Sequence, residues 1–447
     1  MSLKFGTDGV RGVANRELTP ELALNLGRAA ARVLGGRRWL IGRDTRVSGP
    51  LLGAALAAGL ASEGAEVSDL GVLPTPGVAH VSALEQCGAA MISASHNPYK
   101  DNGIKLFAPG GRKLGDDVEE RLEAELTALA VAGDPRPRPE GAEVGSISSD
   151  ETGTARYLDH LTTKVLDGRR LDGMRVVVDA ANGAASAVAA EAFGRLGAEV
   201  TVIHDNPDGR NINLDCGSTH PKSLQAAVVE SGADVGLALD GDADRVLAVD
   251  ATGALVDGDE IIGICAIDRK QRGLLVGDTV VVTVMSNLGF RHGMAAAGIA
   301  VVDTAVGDRY VLEEMTRGGF VLGGEQSGHV IFGDLASTGD GMLTGITLLD
   351  VMARSGRPLA ELAASTMTRL PQVMVNVRTE RRDPAVVESV ADVVAAAEDR
   401  LGDSGRVLLR ASGTEPLVRV MVEAPTDAEA TEIANELAAA VRAAADG

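Results

Sequence analysis

At 447 residues, with 45% apolar but only 2% aromatic residues, the chain is too long for one ordinary core. It must build several cores from Ala, Val, Leu and Ile, which suits layered α/β packing. A formal net charge of −21 argues against nucleic acid or an anionic membrane as a partner, while leaving room for a small anion wherever Arg and Lys converge. Three scattered cysteines, Cys87, Cys216 and Cys265, make neither a disulfide framework nor a zinc cluster. The start lacks a signal peptide's apolar region and no run approaches a membrane span, so a soluble, cytoplasmic protein is expected.

In chain order, three segments repeat one arrangement of parts. The first runs from an apolar strand into Gly42–Arg46, through an Ala-rich helix after Ser48-Gly49-Pro50, to a second strand near Gly64–Val67. After another helix it reaches an apolar strand that ends at Ser95. The second has Val176–Asp179, an Ala-rich helix after Asn182-Gly183, a strand at Gly197–Val200, and the strand Val235–Leu239 ending in Asp240. The third has Val280–Val284, Gly298–Val301 and Phe320–Leu322, ending in Gly324-Glu325. Strands alternating with helices at these lengths predict three mostly parallel sheets covered on both faces. The proline-rich stretch Asp134–Glu140 lies near the first boundary. After Pro371 the pattern changes to a smaller α+β unit: a weakly alternating run Val373–Val377, a helix from Pro384, two strands around Arg410–Pro416 and a final helix from about Thr426. The expected domains are 1–153, 154–256, 257–370 and 371–447.

Each repeat ends in a polar loop, and those loops carry the chemistry. Ser93-Ala-Ser95-His96-Asn-Pro98 puts a hydroxyl at the end of a buried strand, a proline that forbids continuing it, and Lys105 ten residues on. No Gly-x-Ser-x-Gly elbow surrounds Ser95. On an extended backbone His96 would point away from its neighbour, making it a poor base for Ser95. Asp240-Gly-Asp242-Ala-Asp244-Arg245 places carboxylates at i, i+2 and i+4. Two such charges ~4 Å apart repel by about 4 kcal/mol at an effective dielectric near 20, so the cluster calls for a cation or a proton. Hard oxygen ligands favour Mg²⁺, whereas an EF-hand fails because Arg245 and Ala251 occupy its glycine and glutamate positions. A serine beside Mg²⁺ and basic side chains suits a phosphoryl carrier. Glu325-Gln-Ser327-Gly-His329 fits a hydroxyl-rich ligand such as a sugar. Arg410-Ala-Ser412-Gly413-Thr414-Glu-Pro416 with Arg419 has the make-up of a phosphate clamp.

Together, Phe5–Gly12, Ser93–Pro98, Asp240–Arg245, Gly324–His329 and Arg410–Pro416 resemble the α-D-phosphohexomutase superfamily, in the same order and over the whole chain. Phe5–Gly12, Val284–Gly289 and Gln326 are similar to the branch acting on glucosamine phosphates; relatives acting on mannose and glucose phosphates usually carry Met at the position of Gln326. Ala181, where many relatives have Cys, departs from the pattern outside the motifs. The resemblance implies four domains around a central cleft and reversible conversion of glucosamine 6-phosphate to glucosamine 1-phosphate, feeding UDP-N-acetylglucosamine and cell-wall precursors. It implies phosphoserine at Ser95, Mg²⁺ on Asp240, Asp242, Asp244 and the Ser95 phosphate, and a glucosamine 1,6-bisphosphate intermediate. It further implies roles for Arg11, Lys105 and Arg245 in phosphoserine contact and proton transfer, and an active-site position for His329. Glu325 and Ser327 would meet sugar hydroxyls, while Arg410, Ser412, Gly413, Thr414 and Arg419 would hold the distal phosphate. The sugar phosphate is then the partner, with a homodimer through the first domain. A phosphomannomutase/phosphoglucomutase, a Mg²⁺ phosphatase using Asp240 as nucleophile, and a non-catalytic sensor are the competing readings.

Overall fold

The computed structural model describes residues 9–130, 136–379, 385–411 and 416–445. The start of the opening motif (5–8) and Ser412, Gly413 and Thr414 therefore lie outside the described residues. Two compact units form: Met1–Met285 with Ile299–Ala364, and Ser286–Gly298 with Ser365–Gly447.

The first unit holds three sheets among its described residues. Sheet one contains β1 (Val10–Val13), β2 (Arg38–Arg43), β3 (Glu66–Val72), β4 (Gly88–Ile92), β5 (Asp101–Ala108), β6 (Arg112–Lys113) and β7 (Ile147–Ser149), in the order β1-β5-β4-β2-β3-β7 with β6 beside β5. Sheet two contains β8 (Arg175–Asp179), β9 (Glu199–Ile203), β10 (Val235–Leu239), β11 (Val246–Asp250) and β12 (Leu255–Val256), ordered β12-β11-β10-β8-β9. Sheet three contains β13 (Thr279–Thr283), β14 (Ala300–Thr304), β15 (Leu322–Gly324) and β16 (Val330–Phe332), ordered β14-β13-β15-β16.

The repeat is real at the level of topology. In each sheet the first parallel strand lies between the second and the third, and an antiparallel strand closes the far side of the third. Every residue of β4 and of β10 is buried, as expected of parallel strands covered on both faces. The mixed, mostly parallel sheets agree with the expected fold class, although the sequence reading did not say where the antiparallel strand would fall. Pro98 does end one strand, but the chain turns and resumes at Asp101 as β5, with Lys105 opposite Met91. Likewise Leu239 faces Val246 and Gly324 faces Val330, so the three polar loops are hairpin tips rather than strand-to-helix turns. The expected Ala-rich helix after Gly183 divides into a 3₁₀ turn (Ala184–Ala187) and a short helix (Ala189–Arg195).

The second unit is the expected α+β layer. Its strands β17 (Gln372–Arg378), β18 (Arg406–Ala411) and β19 (Leu417–Glu423) are ordered β17-β19-β18, all antiparallel. The helix Asp427–Ala445 buries Ala430, Ile433, Ala434, Leu437, Ala438 and Val441, a stripe at helical spacing that covers the sheet. The helix Leu288–Ala296 belongs to this unit although it lies far upstream in sequence. Buried Glu423 fixes it, accepting from Leu288 N at 2.8 Å and from Arg406 Nε at 2.8 Å, while Asn287 caps the helix through Gly289 N.

Candidate active site

Ser95 and the aspartate cluster meet. The tips after β4 and β10 bring the Ser95 hydroxyl within 2.6 Å of Asp240 Oδ2, to which it donates. Asp240, Asp242 and Asp244 are buried, and one carboxylate oxygen from each lies within 4.8 Å of the others, so the i, i+2, i+4 spacing does converge. Lys105, reaching in from β5 and only 4% exposed, donates to Asp242 Oδ2 at 3.0 Å and Asp244 Oδ2 at 3.1 Å. Thr75, at the start of the helix Thr75–Glu85, donates its hydroxyl to Asp242 Oδ2 at 2.6 Å and its N–H to Asp242 O.

Positive charge is unevenly shared among the three buried carboxylates, gathering on Asp244 and leaving Asp240 under-compensated. Burial, with repulsion from Asp244 and Asp242, raises the Asp240 carboxyl well above its usual range. At Asp244 burial is outweighed by Lys105, His329 and Arg245, which hold its carboxyl well below that range. Oδ1 of Asp242 and Oδ1 of Asp244 are buried and accept no hydrogen bond. Two orphaned hard oxygens beside the Asp240 carboxylate fit a divalent cation such as Mg²⁺.

The other tip also reaches the cluster. His329 is buried, with Nδ1 3.8 Å from Asp244 Oδ2 and Nε2 3.4 Å from Asp308 Oδ2, and Gly339 N–H donates to Nε2 at 3.1 Å. Burial pulls its imidazolium down, but Asp308 and Asp244 outweigh that and raise it overall. Glu325 Oε1 accepts from Gly307 N at 3.1 Å, and Ser327 Oγ stands 3.5 Å from Glu325 Oε2. Arg245 places Nη1 3.4 Å from His96 Nδ1 and Nε 3.8 Å from Asp244 Oδ1. Arg11, on β1 opposite Gly103, acts with Arg245 on His96, whose imidazole is held down to about 4, mainly by burial.

One premise of the sequence reading fails here. Ser95 is not extended but left-handed, with φ +52°, so His96 does not point away: its Nδ1 is 3.4 Å from Ser95 Oγ. The hydroxyl nonetheless chooses the nearer Asp240. Arg410 and Arg419 lie in the second unit, directly opposite each other on β18 and β19. Burial, then Arg419, lowers the Arg410 guanidinium, as expected of like charges directly opposite each other on paired strands. Thr75, Asp308 and Asn213 were absent from the sequence reading, and Asp44 and Arg46 entered it only as part of the run Gly42–Arg46 that ends β2, with no role given to them.

The chain matches the phosphoglucomutase/phosphomannomutase family in four parts: alpha/beta/alpha domain I over residues 2–131, domain II over 155–253, domain III over 257–370, and the C-terminal domain over 374–440. It belongs to that family. Within it the chain sits with the phosphoglucosamine mutases: the protein of that name from Frankia alni is 56% identical over 458 residues, covering 99% of both chains. Among solved structures, a phosphoglucomutase/phosphomannomutase family protein from Burkholderia thailandensis superposes with a TM-score of 0.81 at 26% identity, covering 98% of this chain and 97% of that one. The Aspergillus fumigatus N-acetylphosphoglucosamine mutase in complex with GlcNAc-6P and magnesium shares the fold, with a TM-score of 0.72 at 21% identity over 100% of this chain and 96% of its own.

Proposed function

We propose that the chain interconverts glucosamine 6-phosphate and glucosamine 1-phosphate, with Ser95 as phosphoryl carrier and glucosamine 1,6-bisphosphate as intermediate. The observation that carries this reading is the 2.6 Å contact of Ser95 Oγ with a carboxylate of a buried aspartate triad. In the forward direction the P–Oγ bond of phosphoserine breaks as a P–O bond to the free sugar hydroxyl forms, and the hydroxyl proton passes to a base. The bisphosphate then turns over and returns its other phosphoryl group to Ser95 Oγ, so atoms and charge balance across the cycle. Asp240, Asp242 and Asp244, with the Ser95 phosphate, would hold Mg²⁺, which would supply charge neutralisation on the transferring group.

The chain's own residues do the rest. Lys105 and Arg245 bring positive charge to the reacting phosphate, with Arg11 beside them, and Lys105 and His329 are the titratable groups placed to move the proton. Glu325 and Ser327 orient sugar hydroxyls. Arg410 and Arg419 bind the phosphate that is not reacting, together with Ser412, Gly413 and Thr414. Among the described residues no helix is long and apolar enough to cross a membrane. A cytoplasmic setting and product flow to UDP-N-acetylglucosamine belong to the same proposal, as does a homodimer, which sedimentation can test.

The test is isotope labelling from a labelled hexose 1,6-bisphosphate combined with turnover. Ser95→Ala should lose the covalent label and at least about a thousandfold in rate, the scale of removing a nucleophile. Label retained at Asp240 in that variant would favour the phosphatase reading instead. Glucosamine phosphate should be preferred over mannose and glucose phosphates by at least about a hundredfold, about 2.7 kcal/mol. A smaller preference would favour the phosphomannomutase/phosphoglucomutase reading.

A further inference from the structure

Behind the Ser95 tip lies a fully buried guanidinium that the reaction scheme leaves unused. Arg46, from the loop after β2, spends all five of its N–H groups on internal partners. Nε donates to Asp44 Oδ2 at 2.9 Å. The other four go to backbone carbonyls of the tip: Nη2 to Ser95 O and Asn97 O, both at 2.8 Å, and Nη1 to Asp101 O at 3.0 Å and to Pro98 O. Asp44 completes a ring, since it accepts from Ser93 Oγ at 2.6 Å, and Ser93 Oγ in turn accepts from Ser95 N at 3.0 Å.

This ring has a mechanical purpose. Ser95 sits at φ +52°, a left-handed conformation that strains a non-glycine residue and persists only where its surroundings over-determine it. Both its backbone N–H and its carbonyl are fixed: the N–H by Ser93, the carbonyl by Arg46 and by Asn213 Nδ2 at 2.9 Å. Gly241 presses against the same carbonyl, where an added Cβ would lie 2.6 Å from Ser95 O. The strained backbone is what aims Oγ at Asp240.

We infer that Arg46 is a positioning residue for phosphoryl transfer: its fork holds the carbonyls of residues 95–101 so that Ser95 Oγ keeps its aim on the aspartate triad. This rests on Ser95 being the phosphoryl carrier. A lysine has three donors on a point charge and cannot reproduce a planar five-donor fork, so it keeps the buried charge but loses the geometry.

The experiment compares wild type, Arg46→Lys, Arg46→Ala, Asn213→Ala and Ser95→Ala in the same coupled assay and the same labelling reaction, with circular dichroism as the folding check. Arg46→Lys should fold, lose about tenfold to a hundredfold in kcat, change KM less than about threefold, and carry a smaller Ser95-phosphorylated fraction, the scale of a misplacement near 1 Å. Millimolar guanidinium should restore part of the Arg46→Ala rate, because it refills the vacated fork, and should leave Ser95→Ala untouched. Asn213→Ala, which removes one of the two side chains on the Ser95 carbonyl, should show a milder drop of the same kind. Folded Arg46 variants with wild-type kcat and labelling, or a loss confined to KM, overturn the inference. So does failure of every Arg46 variant to fold while Asn213→Ala keeps full rate, which would make the ring purely structural. If Ser95→Ala itself keeps its label and rate, the underlying reading falls first, and the two failures are told apart.

Discussion

Two buried oxygens of the aspartate triad accept no hydrogen bond, and with Lys105, His329 and Arg245 gathered on Asp244 the Asp240 carboxyl stays under-compensated. Stripping divalent cations with a chelator should therefore lower turnover by more than about a hundredfold, and Mg²⁺ should restore it; full activity in the stripped enzyme would remove the metal from the mechanism. The convergence of these side chains was legible because their spacing of two is a property of the loop alone. The partners that aim Ser95 were not legible. Arg46 is 49 residues away and Asn213 is 118, and no local pattern announces a contact between such positions. His96 shows the opposite failure: its placement was read from an extended backbone, and the single positive φ at Ser95 changed which way it faces.

At the scale of elements, apolar runs such as Val176–Val178 and Val235–Leu239 fixed strands within a residue or two, since a doubly covered strand must be apolar throughout. The returning strand β5 was hidden because polar and small residues interrupt its pattern, as in Asp-Asn-Gly-Ile-Lys-Leu-Phe-Ala, whereas β11 (Val-Leu-Ala-Val-Asp) and β16 (Val-Ile-Phe) are apolar but short and follow directly on polar loops. Another cross-element contact has a pH consequence. His80, on the helix Thr75–Glu85, stacks on His160 of the helix Gly153–Lys164 with ring centroids 4.1 Å apart. Burial, then the charges of His160 and Arg156, holds His80 down to about 4 from 6.5. Its depressed value means that the unfolded chain takes up a proton below pH 6.5 that the folded chain refuses, so stability present above 6.5 drains away as pH falls toward 4. His80→Phe keeps a ring against His160 and should be spared about 1–2 kcal/mol of that acid-side loss, after discounting for partial exposure. Denaturant titrations at pH 7 and pH 4.5 check this; equal acid-side losses in both proteins would count against it.

For the whole molecule, the fold of the first unit depends on charges that link distant stretches of chain. Buried Asp350 accepts from Arg169 Nε and Nη2, both at 2.8 Å, and from Arg354 Nε at 2.9 Å, while Arg354 also grips Asp268. Arg169 and Arg354 are partly exposed and Arg354 keeps Asp268, so Asp350→Ala, which removes three charge-assisted hydrogen bonds, should cost about 1–3 kcal/mol in chemical unfolding. KM for the sugar phosphate should stay within about twofold, because these residues are not part of the site; an unchanged unfolding midpoint would show the network to be idle. The domain borders at 153/154, 256/257 and 370/371 remain proposals, to be mapped by limited proteolysis. The threefold order of strand types was readable from sequence, whereas the attachment of Ser286–Gly298 to the second unit was not, since it depends on Glu423 far downstream. The burial of Ser95 has one more consequence. A protein kinase threads its target as an exposed, extended strand, and a side chain 1% exposed in a knotted left-handed turn offers no such grip. On the proposed reading of Ser95 as phosphoryl carrier, a donor small enough to enter the site, rather than a protein kinase, is the expected source of its first phosphate.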